Sequence, residues 1–165
     1  MNVLKSRLQI LGRSIKNIQT FRQIPSVLNP LPQLNKNELE QLKNEVHFTQ
    51  SESLKRVLIY QDNIMDGFVI FWKQNSKCQV HNHASEGCYF RPLYEGLQEH
   101  KYTDYDDYIV LTETRKLPYC NTQYIDDVIG FHSIENTTDM IIPSIHFYSP
   151  SGHKTEYLNK YVKGF

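Results

Sequence analysis

The sequence predicts a mainly β protein, an antiparallel barrel or sandwich with helices added at its N-terminus. Apolar residues recur at helical spacing only in the first part of the chain. From about Lys55 onward, runs rich in β-branched and aromatic residues are separated by clusters of turn-forming residues, with no helical segments between them. A chain of 165 residues is also long enough to bury a core without disulfide bonds.

Two helices are predicted before the β region. The first runs to about Phe21, because apolar residues spaced three and four apart give it one apolar stripe. These residues are Leu4, Leu8, Leu11, Ile15 and Ile18. After a Pro-rich connector, a second helix is predicted from Lys36 to Val46, since Asn35 can cap it and Glu38 stands three residues later.

The first 37 residues contain six basic and no acidic residues. An amphipathic N-terminal segment without acidic residues is also typical of a mitochondrial transit peptide. We favour an ordinary helix docked on the core, because the basic composition continues into the Pro-rich connector. The expected organisation is one domain, with a helical segment of residues 1–53 packed on a β-barrel of residues 54–165.

Five apolar runs are predicted as strands, and turn-forming clusters divide them. They are 57–72 with a turn near Asp62, Gln79 to Leu93, Tyr108 to Leu111, Val128 to His132 and Ile141 to Tyr148.

Charge and composition exclude several classes of function. The 18 basic residues balance the 18 acidic ones, which argues against a nucleic acid partner. The longest apolar run, Phe68 to Trp72, is far too short to span a membrane. Three cysteines match neither a disulfide framework nor a paired zinc motif, so a reducing compartment, the cytoplasm, is expected.

Histidines in two separate regions form the first candidate site. The segment His81-Asn82-His83 lies on a predicted strand, where residues two apart share a face, so both imidazoles converge. His132 lies on a different predicted strand. Three imidazoles on a barrel wall can hold a metal and leave coordination positions open for substrate. A solvent-facing or hydrogen-bonded histidine pair without metal is the alternative.

The last predicted strand carries Ser144, His146 and Tyr148 on one face. Polar groups facing a small barrel's interior are costly unless they hydrogen-bond to one another. A chain from Ser144 through His146 to Tyr148 would satisfy them and orient the phenol.

Four segments, in order and close to the expected spacing, resemble the cysteine dioxygenases, small iron-dependent enzymes of the cupin fold. They are HNHASEGC, EGLQE, YIDDVIGFHSIEN and PSIHFYSP, within residues 54–150. The resemblance implies a cupin-type, jelly-roll-like antiparallel barrel and a monomer that takes L-cysteine and O2 as substrates. It also implies that the product is cysteine sulfinic acid, in cysteine catabolism and taurine biosynthesis.

The resemblance also implies a role for each candidate residue. His81, His83 and His132 would bind Fe(II), and Arg56 would grip the substrate carboxylate with its guanidinium fork. Ser144 and His146 would stand behind the catalytic Tyr148 hydroxyl.

Cys88 has three interpretations: the partner of Tyr148 in a thioether crosslink, a buried structural thiol, or a fourth ligand of a closed zinc site. The resemblance favours the crosslink. Cys78 is expected to point away from His81, and no function is expected for it.

Two alternative functions stay open. One is oxidation of another small thiol, 3-mercaptopropionate or cysteamine. This alternative stays open because Leu54 stands where animal members of the family have tyrosine, and because the segment after Pro150 is short. The other is a non-catalytic, metal-binding cupin.

Overall fold

The structure, a computed structural model, describes residues 2–163 and contains three α-helices followed by ten β-strands. Met1, Gly164 and Phe165, at the ends of the expected segments 1–53 and 54–165, lie outside the described residues. The helices are α1 Lys5–Ile15, α2 Ile24–Leu28 and α3 Lys36–Glu45. The strands are β1 Leu54–Gln61, β2 Asp66–Trp72, β3 Ser76–Lys77, β4 Cys88–Pro92, β5 Leu97–Asp104, β6 Tyr108–Lys116, β7 Gln123–Ile125, β8 Phe131–Asn136, β9 Ile142–Tyr148 and β10 Tyr161–Lys163.

The first helix is shorter than its apolar spacing predicts, because it ends at Ile15. The chain then turns into the separate short helix α2, which accepts Pro25 near its start, where a missing N–H costs nothing. The prediction for α3 is confirmed. Asn35 accepts a hydrogen bond from the Glu38 backbone N–H at 3.0 Å, and the Glu38 carboxylate accepts from the Asn35 N–H at 2.8 Å.

Two five-stranded sheets form the β region, in the orders β1-β2-β9-β4-β7 and β10-β6-β5-β8-β3. Neighbouring strands are antiparallel, except that β10 runs parallel to β6. The predicted mainly β fold with N-terminal helices is therefore confirmed.

Strand β9 lies at the centre of the first sheet, and every one of its residues is buried. Its register aligns Cys88 of β4 with Tyr148, and Ile70 of β2 with Ser144. On β1, Arg56 in turn pairs with Ile70. The alternation of strand side chains thus directs polar groups from β9 towards the second sheet, where β8 carries His132.

Three details of the predicted strands are wrong. His81-Asn82-His83 is not within a regular strand, and His81 makes only isolated bridges to His132 and Tyr157. The strand carrying His132 is Phe131–Asn136, whereas Val128 is 96% exposed in the preceding turn. Strand β5 was not expected, because its polar sequence LQEHKYTD has little β character.

Buried polar contacts connect the helical segment to the barrel. Arg91 of β4 donates to two backbone carbonyls at and just after the end of α2, those of Leu28 and Leu31. Within the helical segment itself, Arg7 of α1 forms a salt bridge with Glu38 of α3 at 2.8 Å. No helix within the described residues is long and apolar enough to cross a membrane.

Candidate metal centre

Three buried histidines, His81, His83 and His132, converge between the two sheets. One ligand nitrogen of each lies within 4.8 Å of the others. The Nε2 atoms of His81 and His132 are 3.2 Å apart. The structure therefore brings together the three histidines that the sequence singled out, although two of them come from an irregular segment.

Each of these imidazoles uses its Nδ1 atom to hydrogen-bond an acceptor outside the cluster. His81 Nδ1 lies 3.0 Å from the Gln79 carbonyl, and His83 Nδ1 lies 3.1 Å from the Asp127 carboxylate. His132 Nδ1 lies 2.8 Å from the fully buried carboxylate of Glu99. Carbonyls and carboxylates accept hydrogen bonds, so each Nδ1 carries the proton of a neutral ring.

The opposite nitrogens are consequently unprotonated, and their lone pairs face one another. In the part of the chain that the structure describes, His83 Nε2 is buried and has no hydrogen-bond partner. A proton could relieve the repulsion, but burial lowers the pKa of all three imidazoles, that of His81 to about 4. A metal cation supplies the missing positive charge, so the three nitrogens fit a non-haem metal site.

The electrostatic surroundings of Glu99 hold its carboxylate in place. Arg115 donates to its second oxygen at 2.6 Å, so this buried charge is paired on both sides. Asp127 is also fixed, since it accepts from the His83 backbone N–H at 2.7 Å. These carboxylates orient the imidazoles, as is common at metal sites.

A second polar row runs along β9. Trp72 Nε1 donates to Ser144 Oγ at 2.8 Å, which leaves the serine hydroxyl hydrogen to be donated to His146 Nε2 at 2.7 Å. His146 then carries its proton on Nδ1, 3.4 Å from the Tyr148 oxygen and 3.7 Å from Cys88 Sγ. The Tyr148 oxygen can accept this bond, so its own O–H is available to another acceptor.

Cys88 lies opposite Tyr148 in the pairing of β4 with β9, and the two side chains are in hydrogen-bonding contact. Burial raises the pKa of both groups, so thiol and phenol are uncharged. Among residues 2–163, the metal-binding group contains histidines only, so the geometry does not make Cys88 a fourth ligand.

Arg56 is half-buried, and its guanidinium lies over the ring of Phe68, 4.3 Å from the centroid. It donates to Thr155 Oγ1 at 3.2 Å, while its buried Nε has no hydrogen-bond partner within residues 2–163. The same residues offer it no salt bridge to a carboxylate. A partly buried cation without an anionic partner is suited to bind a carboxylate.

A narrow cavity of about 20 Å³ connects this arginine with the histidines and Tyr148. Its lining consists of Leu54, Arg56, Ile70, Trp72, Cys78, His81, His132, Ile134, His146, Tyr148, Thr155 and Tyr157. Cys78 lies 3.9 Å from His81 Nδ1, so the expectation that it points away is wrong. That expectation assumed a regular strand, which this segment does not form.

Sequence reasoning missed Glu99, Asp127, Thr155 and Tyr157. Glu99 lies in a strand of weak β character, and Asp127 resembles any aspartate of a turn. Thr155 and Tyr157 belong to a polar segment without periodicity. The one signal that could have been followed is the family resemblance, since Glu99 lies in EGLQE and Asp127 lies in YIDDVIGFHSIEN.

Comparison with known proteins gives a family and a fold. A family model described as cysteine dioxygenase type I matches residues 30–160. A search of curated proteins finds no match.

Solved structures with the same fold are distant in sequence. An uncharacterised protein with a double-stranded β-helix domain from Klebsiella pneumoniae is 12% identical, with a TM-score of 0.55 over 72% of this chain and 89% of that one. A variant of oxalate decarboxylase from Bacillus subtilis is 14% identical, with a TM-score of 0.51 over 70% of this chain. The match spans 31% of the decarboxylase chain. Both similarities support the cupin-type double-stranded β-helix fold.

Proposed function

The chain belongs to the cysteine dioxygenase type I family, and from that membership we propose that it is an iron-dependent cysteine dioxygenase. It would add both atoms of O2 to the thiol of L-cysteine and release cysteine sulfinic acid. One observation carries the proposal: two histidines of the three-histidine cluster, His81 and His132, line the same small cavity as Arg56, which forms no salt bridge within residues 2–163.

His81, His83 and His132 would hold the metal through their Nε2 atoms. Three neutral imidazoles suit several transition metals, and the family favours Fe(II) among them. Fe(II) held there would supply positive charge that favours the thiolate form of the substrate, and it would supply electrons to O2.

Arg56 would fix the substrate by its carboxylate. The guanidinium is held in place by the Phe68 ring and retains a buried N–H to donate. A carboxylate bound there would extend its thiol across the cavity towards the histidines. This arrangement would favour a small thiol that also carries a carboxylate, such as L-cysteine.

Tyr148 would act on the bound substrate through its O–H. Its oxygen is held by His146, which Ser144 and Trp72 orient in turn. The raised pKa of the phenol keeps the proton on its oxygen, so the group donates a hydrogen bond. The cavity leaves little room for water beside this group.

We also propose that Cys88 and Tyr148 form a thioether crosslink. Formation of the S–C bond removes the thiol hydrogen and one ring hydrogen, and O2 takes up both hydrogens with their electrons to become hydrogen peroxide. The pairing of β4 with β9 supports this proposal, because it holds the two side chains in contact. An intact mass lighter by two hydrogens after aerobic incubation with iron would support it, and an unchanged mass would contradict it.

Parallel assays with three thiols test the substrate. Fe(II)-loaded protein is incubated aerobically with L-cysteine, 3-mercaptopropionate or cysteamine, and sulfinates are measured by mass spectrometry. Arg56→Met should raise KM for the two carboxylate thiols roughly ten- to a hundredfold and leave cysteamine unchanged, because cysteamine has no carboxylate. If the unmodified protein oxidises cysteamine in preference to L-cysteine, the proposed substrate is wrong and cysteamine takes its place. No sulfinate with iron bound would favour a non-catalytic metal-binding cupin.

From the same family membership we also propose the compartment, the oligomeric state and the metabolic role. The protein would be a cytoplasmic monomer that acts in cysteine catabolism, and its product would lead towards taurine.

A further inference from the structure

A segment near the C-terminus, residues 153–158, crosses the cavity and is here called the strap. His153 and Thr155 are half-buried, Tyr157 is more exposed, and the three side chains touch different parts of the site. The His153 ring stacks on Tyr148 with 6.0 Å between centroids, and Thr155 accepts the hydrogen bond from Arg56. The Tyr157 ring stands edge-on to His81 at 6.2 Å.

Hydrogen bonds attach the strap to the segment that carries the first two histidines. Asn82 N–H donates to the Glu156 carbonyl at 3.1 Å, and Glu156 N–H donates to Asn82 Oδ1 at 2.7 Å. Leu158 N–H donates to the Val80 carbonyl at 2.8 Å. The strap therefore has a fixed position relative to the histidines, and its side chains form a wall of the cavity.

The cavity between Arg56 and the histidines holds about one water molecule, so a bound thiol must displace part of its lining. The opposite wall consists of strand residues such as Ile70 and Trp72, which are 3% and 2% exposed and packed in the core. Moving them would disrupt close packing. Tyr157, in contrast, is 46% exposed and lies outside the regular sheets, so its size can set the space for a ligand without any change to the core packing.

We propose that Tyr157 sets the size limit for the thiol. It would let a molecule as small as cysteine lie between Arg56 and the histidines, and it would exclude thiols with an additional methylene or methyl groups. The inference rests on the proposed function and adds a specificity-determining residue from a segment outside the metal-binding group. Thr155 contributes to the same wall on the Arg56 side.

Graded substitutions at Tyr157 test this proposal. The measured quantity is the ratio of kcat/KM for L-homocysteine or L-penicillamine to kcat/KM for L-cysteine. Tyr157→Ala should raise this ratio roughly tenfold or more, since one methylene in a fitted pocket changes discrimination by about that factor. Tyr157→Leu should raise it less, and Tyr157→Phe should keep it, because the ring remains.

Tyr161→Ala is the matched control, since Tyr161 follows in the same part of the chain but is 74% exposed and outside the cavity lining. It should leave the ratio unchanged. An unchanged ratio in Tyr157→Ala and Tyr157→Leu, with turnover of cysteine retained, would overturn the proposal. If Tyr157→Ala fails to fold, the kcat/KM ratios of Tyr157→Leu and Tyr157→Phe are compared. A higher ratio in Tyr157→Leu supports the size limit, and equal ratios contradict it.

A second readout separates this proposal from the proposed function. Thiol binding to Co(II)-loaded protein is followed by the absorption of the thiolate-metal bond. The thiols are L-cysteine, L-homocysteine and L-penicillamine. If the unmodified protein oxidises none of them, the proposed function fails. A lower Kd for homocysteine in Tyr157→Ala would then still support the size limit, and identical Kd ratios would contradict it.

Discussion

The histidines of the candidate metal centre depend on the acceptors behind them. His132 is the clearest case, because Glu99 binds its Nδ1 at 2.8 Å and is itself held by Arg115. This contact fixes the tautomer, the direction of the ring and the basicity of the nitrogen that faces the cluster.

Replacement of Glu99 tests this dependence. Glu99→Gln should weaken metal binding roughly ten- to a hundredfold, because the amide is a poorer acceptor for His132 and leaves Arg115 without a charged partner. Affinity is measured by competition with a chromophoric chelator. Glu135→Gln, which alters a partly exposed carboxylate 2.8 Å from His100 Nε2, is the control. Equal affinities of both variants would show that His132 does not need the carboxylate.

Residue patterns alone could indicate the three histidines but not these acceptors. His81 and His83 form a recognisable pair, and the family resemblance adds His132. Glu99 and Asp127 come from other elements and have no local pattern that marks them as partners. Their roles follow from tertiary contacts, which a single sequence does not show.

Among the elements, β9 was the most predictable part of the site. Side chains two residues apart share a face of a strand, so Ser144, His146 and Tyr148 were expected to form a row. The structure shows the row and adds Trp72 of the neighbouring β2 as the donor at its start. The segment from Gln79 to Gly87 was less predictable, because its β-like sequence does not pair as a strand.

Tyr148→Phe tests the β9 row. The change removes the hydrogen bond to the bound substrate and keeps the ring, so turnover should fall roughly ten- to a hundredfold while metal affinity stays the same. Tyr89→Phe, on adjacent β4 in register with Phe147, is the control and should retain full turnover. Loss of metal from Tyr148→Phe would show that the tyrosine has a different role.

For the whole molecule, the burial of several neutral histidines makes stability depend on pH. Burial lowers the pKa of His81 to about 4 and also holds the pKa values of His132 and His146 well below 6.5. In the unfolded chain these rings take up protons near their ordinary pKa, so the unfolded state binds more protons than the folded state below that pH.

The free energy of unfolding of the metal-free protein should therefore be highest above about pH 6.5 and fall as the pH decreases towards 4. Urea denaturation at about pH 7.5 and about pH 5 measures the difference. His47→Gln, which alters an exposed histidine after α3, should leave the difference unchanged. Equal stability at both pH values would contradict the neutral buried state of these rings.

At this scale the sequence predicted the class of fold well and the packing of the site poorly. The change from helical to strand periodicity near residue 54 gave the order of helices and strands. The strap was not expected, since its position depends on contacts between residues 80–82 and 156–158.

Oxidation of L-cysteine by Fe(II)-loaded protein under oxygen gas enriched in its heavy isotope tests the central claim most directly. We expect cysteine sulfinic acid in which both sulfinate oxygens carry the label. Product with one labelled oxygen or none, or the absence of any sulfinate while iron is bound, would contradict the account.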